Sequence, residues 1–246
     1  MTIQADLLAA LDYLWSGTDA GTWVASDPAL NGVLINSPTV DATGLSSQRL
    51  LATTSKFSYA PGNATTHRMA SCTWVVRLRR INTDFGAVIK IGFQNSANPR
   101  NFAEAAGWGF GFGGGTFDSA GDQIIYLREQ IAWHPFGNTY TPAVGVFASF
   151  AIRLTATGSV VHAAENLVGS VVGLPTIRVS APYIQFGGYE AQVGLNRFSS
   201  VKILDVMQFT RDLTSDERLW LADENNSLVG SGASSAAAVH FFTFGF

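Results

Sequence analysis

From residue 71 to 79 the side chains alternate. Cys72, Trp74, Val76 and Leu78 fall on one side, and Thr73, Val75, Arg77 and Arg79 on the other. A period of two marks an extended strand with one face on a core, and only Val75 departs from the polar side. The same pattern returns at 146–155, where Val146, Ala148, Phe150, Ile152 and Leu154 alternate with Phe147, Ser149, Ala151, Arg153 and Thr155. A turn at Thr157-Gly158 then leads into 159–163. Residues 86–93 form another apolar run, closed by the turn formers Asn95, Ser96, Asn98 and Pro99. Residues 201–209 are apolar at nearly every position, as in a strand covered on both faces. Many short strands with little helix predict a sandwich or barrel.

Two helices are expected. The first is short, with Asp6 as its cap before Leu7, Leu8, Leu11 and Leu14. The second follows Thr214-Ser215-Asp216-Glu217, a capping box in which the Thr214 hydroxyl meets the Glu217 amide. Residues 1–30 are read as an N-terminal helical or extended arm, and 31–246 as one sandwich that includes a C-terminal strand. Chain length agrees, since 246 residues fit a single large all-β domain. So does a hydrophobic content of 47%, enough to fill its core.

The second half resembles the laminin G-like branch of the concanavalin A-like superfamily. The residues that carry the likeness are 147–155 with its glycine turn, Tyr183-Ile184-Gln185-Phe186-Gly187-Gly188, the strand 201–209 with Asp205, and the passage 209–218 into a helical turn. The first half fits more loosely, through 71–77. The family's Tyr-x-Asp-Gly turn is replaced here by 161–166. The resemblance implies an all-β fold of two antiparallel sheets, a jelly-roll sandwich, with a short N-terminal helix and one late helix. It says little about function, because lectins, hydrolases and structural parts share such folds.

Several chemistries lack their residues. Gly109, Gly111 and Gly114 match a dinucleotide-loop spacing, but no helical pattern follows to receive a pyrophosphate. A strand with Trp108, Phe110 and Phe112 on one face and glycines on the other explains the alternation better. The acidic triplet Glu-x-Asp-x-x-Glu of glycoside hydrolases with this fold is missing, and Asp205 stands alone on its strand. There is no G-x-S-x-G elbow, and the single Cys72 reads as core. The chain is therefore expected not to be an enzyme, with a glycoside hydrolase as the remaining catalytic alternative. No cofactor is expected. Calcium stays open at Asp118 and Asp122, which share a glycine-containing loop, although turn formation is their simpler role.

Binding is the remaining class. The loop 133–142 offers Trp133, His134, Asn138 and Tyr140 between two prolines, the mixture a sugar platform needs. Aromatic loops also form subunit contacts, and the two roles stay open. The end of the chain carries Phe241, Phe242, Phe244 and Phe246, which require cover by an internal strand position or a neighbouring subunit. A net charge of −3 and no basic run argue against nucleic acid, and no stretch is long and apolar enough for a membrane helix. No signal peptide is visible. The expectation is a structural or binding module of a bacteriophage virion: a capsid decoration, tail or fibre component. Its expected partners are further copies of itself, other virion proteins and a cell-surface glycan. A secreted bacterial carbohydrate-binding lectin is the alternative.

Overall fold

The computed structural model describes residues 2–51, 54–63, 65–66, 71–93, 108–114, 123–128, 132–135, 142–172, 182–189 and 197–228. In chain order the first elements are α1 (Ile3–Ala10), β1 (Leu11–Gly17), β2 (Trp23–Ala25), a 3-10 turn (Pro28–Leu30) and β3 (Val33–Ile35). Next come β4 (Thr39–Asp41), β5 (Gly44–Ser46), β6 (Phe57–Pro61), β7 (Cys72–Arg80), β8 (Gly86–Phe93) and β9 (Trp108–Gly113). Then follow β10 (Gln123–Arg128), β11 (Ala132–Pro135), β12 (Phe147–Leu154), β13 (Gly158–Ala163) and β14 (Asn166–Val172). The last are β15 (Pro182–Phe186), β16 (Gly188–Tyr189), β17 (Arg197–Phe198), β18 (Val201–Phe209) and α2 (Ser215–Ala222).

These strands build two sheets. The first runs β14-β13-β12-β7-β18-β1-β2, with β5 and β4 attached beside β18. The second runs β11-β10-β9-β8-β15-β6-β3, with β17 and β16 attached beside β8. Among the described strands pairing is antiparallel except at Phe198 and Ala87, where β17 meets β8, and an isolated bridge from Arg80 to Val144 is also parallel. The two-sheet sandwich with one early and one late helix matches the fold class expected from the sequence.

The alternation of β7 explains the layering. Cys72, Trp74, Val76 and Leu78 enter the main core between the sheets, with Trp108, Phe110 and Phe112 of β9 arriving from the other side. Trp15 stacks on Trp74 at 5.6 Å, and Phe110 lies 4.8 Å from Phe150. Val75, the exception to the polar side, belongs to a second core. On the outer face of the first sheet it packs with Ala151 and Met207 under Leu7, Ala10 and Leu221 of the two helices. This is also why β18 carries apolar residues on both faces: Val201, Ile203 and Val206 enter the main core, while Met207 and Phe209 enter the second.

Two details of the N-terminal region differ from expectation. Thr2, not Asp6, caps α1, its side chain accepting from the Ala5 amide. Residues 11–17 and 23–25, within the segment read as an arm, are sheet strands, and Trp15 and Trp23 are fully buried. The leucine spacing that suggests helix is local. Pairing of β1 with β18 is long-range, and it buries Leu14 on one face and Trp15 on the other.

Arg77 lies on the outer face of the first sheet, yet is buried. Its Nη1 donates to the Asn226 carbonyl at 2.6 Å, and its guanidinium lies 5.4 Å from the Phe147 ring. Its Nε is 3.4 Å from Asp205 Oδ1, an ion pair without a hydrogen bond. Burial outweighs that attraction, and the Asp205 carboxyl is pushed up to about 6.

Candidate functional site

One row of opposed residues crosses the whole second sheet. Trp133 stands opposite Leu127, Leu127 opposite Gly109, and Gly109 opposite Lys90. Lys90 stands opposite Gln185, Gln185 opposite Tyr59, and Tyr59 opposite Val33. Opposed residues share a face. Ile91, Ile184 and Ala60, one place along on their strands, fill the core, so Lys90, Gln185, Tyr59 and Val33 belong to the outer face. Lys90 and Gln185 are fully buried there, while Val33 is 45% exposed.

Among the described residues, the accessible part of this face is its β6–β15 side. Tyr59 and Tyr183 are half-buried, with ring centroids 5.6 Å apart and planes at 61°. Pro61, directly opposite Tyr183, and Val33 flank them. Burial, followed by the neighbouring Tyr183, raises the pKa of Tyr59, so its phenol stays a neutral donor. Two edge-on aromatic rings carrying hydroxyls form an apolar platform with polar rims, which suits the C–H face and the hydroxyls of a sugar ring. Sequence reasoning did not single out these tyrosines. They sit on different strands, 124 positions apart, and only the β6–β15 register joins them.

A second, charged surface lies at the α1–α2 end. Arg211 Nη1 and Nη2 grip Glu217 Oε2 and Oε1 at 2.8 and 2.5 Å, and Glu217 Oε2 also accepts the Thr214 amide at 2.8 Å. These bonds complete the capping box expected from the sequence. The Arg211 hydrogen bond leads in holding the Glu217 carboxyl down at about 2. Asp6 and Glu217 share a groove of about 500 Å³ with Arg211, but a carboxylate so firmly ionised cannot donate a proton near neutrality. Beyond Arg211, a depression of about 360 Å³ is lined by Ser71, Thr155, Thr210 and Arg153, whose Nη1 is 2.9 Å from Asp212 Oδ2.

The residues singled out in the sequence are placed only in part. Trp133 and His134 lie on β11, the edge strand of the second sheet, opposite Leu127 and Tyr126. Their side chains lie outside the described residues, as do Asn138, Tyr140, Asp118, Asp122, Phe241, Phe242, Phe244 and Phe246. Among the described residues, no three His, Cys, Asp or Glu come together as metal ligands. No helix among them is long and apolar enough to cross a membrane.

No known family's sequence pattern matches the chain, and no curated protein matches it. Solved structures do resemble it. Trypanosoma rangeli sialidase in complex with sialic acid superposes with a TM-score of 0.60 at 13% identity, over 85% of this chain and 32% of the sialidase. A mutant of that sialidase displaying trans-sialidase activity gives 0.60 and 13%, over 86% and 32%. The botulinum neurotoxin serotype D ligand binding domain, in complex with N-acetylneuraminic acid, gives 0.57 at 9%, over 89% and 52%. The chain thus spans about a third of the sialidases' length and about half of the toxin domain's. At these identities the likeness establishes a shared sandwich fold.

The expectation that the chain is not an enzyme is overturned by the first two comparisons, because proteins that carry this fold within their chain are enzymes. The sequence argument rested on a missing carboxylate pair. That pair is one catalytic solution for glycosides and not a requirement, sialidases being among the exceptions.

Proposed function

We propose that this chain is a carbohydrate-binding β-sandwich, with the Tyr59–Tyr183 platform as its sugar-contacting surface. The observation that carries the reading is the pair of half-exposed tyrosines at 5.6 Å on the outer face of the second sheet. The sugar-bound structures with the same fold support it.

The test is a glycan array followed by calorimetry on Tyr59→Ala and Tyr183→Ala. Each truncation is expected to weaken binding about tenfold, the loss of one stacking ring, with little change in melting temperature. Unchanged affinity in both variants would sink the platform.

A second reading, assembly into a virion or similar particle through copies of the chain, is favoured by a cluster at the opposite end of the sandwich. Leu50, Ile81, Val144 and Val146 are each more than 40% exposed. Backbone bonds gather them around Arg80 and Ser200: Ile81 donates to Ser200, Gly145 donates to Arg80, and Arg49 donates to the Ser200 hydroxyl. Exposed apolar groups gathered in this way suit a contact between subunits. Light scattering is expected to give an oligomer that dissociates when Val144 and Val146 become Asp, or when residues 239–246 are removed. A monomer in every case would count against assembly and against the virion reading together.

A further inference from the structure

The outer face of the first sheet carries, beside α2, a group of cationic side chains that the tyrosine platform does not use. Arg153 of β12 stands opposite Val160, and His162 lies two residues further along β13, so the two are diagonal neighbours on one face. Arg218 approaches from α2, and its Nη1 donates to the Leu213 carbonyl at 2.5 Å while its Nε is buried without a hydrogen bond. His162 is half-buried, and its side chain forms no hydrogen bond among the described residues. Burial, Arg218 and Arg153 lower its pKa, against an opposing pull from Asp212.

The charge balance follows from the partners. Arg211 is matched by Glu217, with Asp6 also nearby, leaving Arg153 and Arg218 with Asp212 among the described residues. Arg153 gives Nη1 to Asp212 and is 43% exposed, so its other donors face solvent. The depression beside it is also lined by Ser71, Thr155 and Thr210. The Thr155 and Thr210 hydroxyls donate to the Gly158 and Ala10 carbonyls and keep only acceptor capacity, and the Ser71 hydroxyl has no such bond among the described residues. A planar, many-donor cation next to hydroxyls is suited to an oxyanion attached to a hydroxylated ligand.

We infer that Arg153, with His162 and Arg218 behind it, forms a second binding site, which takes the oxyanion of an acidic sugar. The chemistry is shared by a sugar carboxylate and a sugar sulfate. Asp212 acts as the internal stand-in for the ligand, occupying one side of the guanidinium until the anion arrives. The site is separate from the tyrosine platform and stands or falls independently of it.

Calorimetry with four probes tests this: N-acetylneuraminic acid and its neutral C1 amide, and galactose 6-sulfate and galactose. At least one anionic probe is expected to bind about tenfold tighter than its neutral counterpart, the scale of a lost charge-assisted pair. A response to only one anion identifies the source as carboxylate or sulfate. Arg153→Gln should abolish that preference, whereas Tyr59→Ala should leave it intact. Asp212→Asn, which keeps the Oδ1 that accepts the Leu213 amide, should tighten anion binding several-fold by freeing Arg153. A purely structural Arg153–Asp212 pair would not give that opposite response. Equal binding of acid and amide, no binding of either anion, or an Arg153→Gln variant that keeps its preference would each overturn the inference.

Discussion

Gly111→Ala is expected to destabilise the protein by about 3 kcal/mol or more, through overpacking against backbone that cannot move away. A Cβ built at Gly111 would lie 2.1 Å from the Gly86 carbonyl oxygen and 2.7 Å from the Ala87 Cα. The reason lies in the register. The β8–β9 ladder shifts between Ala87 and Ile89, and the bulge pushes the start of β8 against β9. A glycine pattern that superficially matches a nucleotide loop is therefore explained by strand packing, with Trp108, Phe110 and Phe112 filling the core on the other face. Gly145→Ala makes a good comparison. Gly145 has φ +78° and open space around it, so that change is expected to cost only about 1 kcal/mol of backbone strain. Urea denaturation of the two variants checks the pair. A Gly111→Ala protein as stable as Gly145→Ala would show that β8 can retreat and that the bulge is soft.

The second large effect is a pair of opposed pH dependences. Glu217 is held at about 2 in the folded chain, below its ordinary value of 4.5. Its contribution is complete above pH 4.5 and is lost as the pH falls towards 2. Asp205 is raised to about 6 from an ordinary 3.8. Its folded form holds the proton more tightly, so its effect is most favourable below 3.8 and declines as the pH rises through 6. Stability is therefore expected to slope down on both sides of a maximum between about pH 4 and 5. Glu217→Gln should lose about 2 kcal/mol at pH 7, a figure reduced because Arg211 is 40% exposed, and should flatten the acid slope. Asp205→Asn should flatten the slope between pH 4 and 6 and leave the acid slope unchanged. Urea midpoints measured from pH 3 to 8 separate the two. An acid slope that survives in Glu217→Gln would falsify the assignment to this clamp.

The two carboxylates also show what a sequence can reveal. Thr214 and Glu217 are three residues apart, and a capping box is a local geometry, so their bond was legible. The Arg211 grip on Glu217 needed the bend at 210–211 to bring the side chains together. In the sequence Asp205 stands alone on its strand. Its partner Arg77 lies 128 positions away, opposite it only because β7 and β18 are adjacent.

The strands themselves were largely determined by the sequence. Alternation in β7, β12 and β9 is a local consequence of burying one face, and it identified Trp74, Phe150 and Phe110 as core before any pairing was known. Tertiary structure decided the rest. Val75 looked like an error in the pattern until the helices covered it. The leucines of residues 7–14 divided between a helix and a strand because β18 offered β1 an edge. Tyr59 met Tyr183, and Arg153 met His162, through the registers of β6 with β15 and β12 with β13. Periodicity reports which face of a segment avoids water. It carries no information about which distant segment supplies the cover or the neighbouring side chain, and the candidate sites of this protein are built from those neighbours.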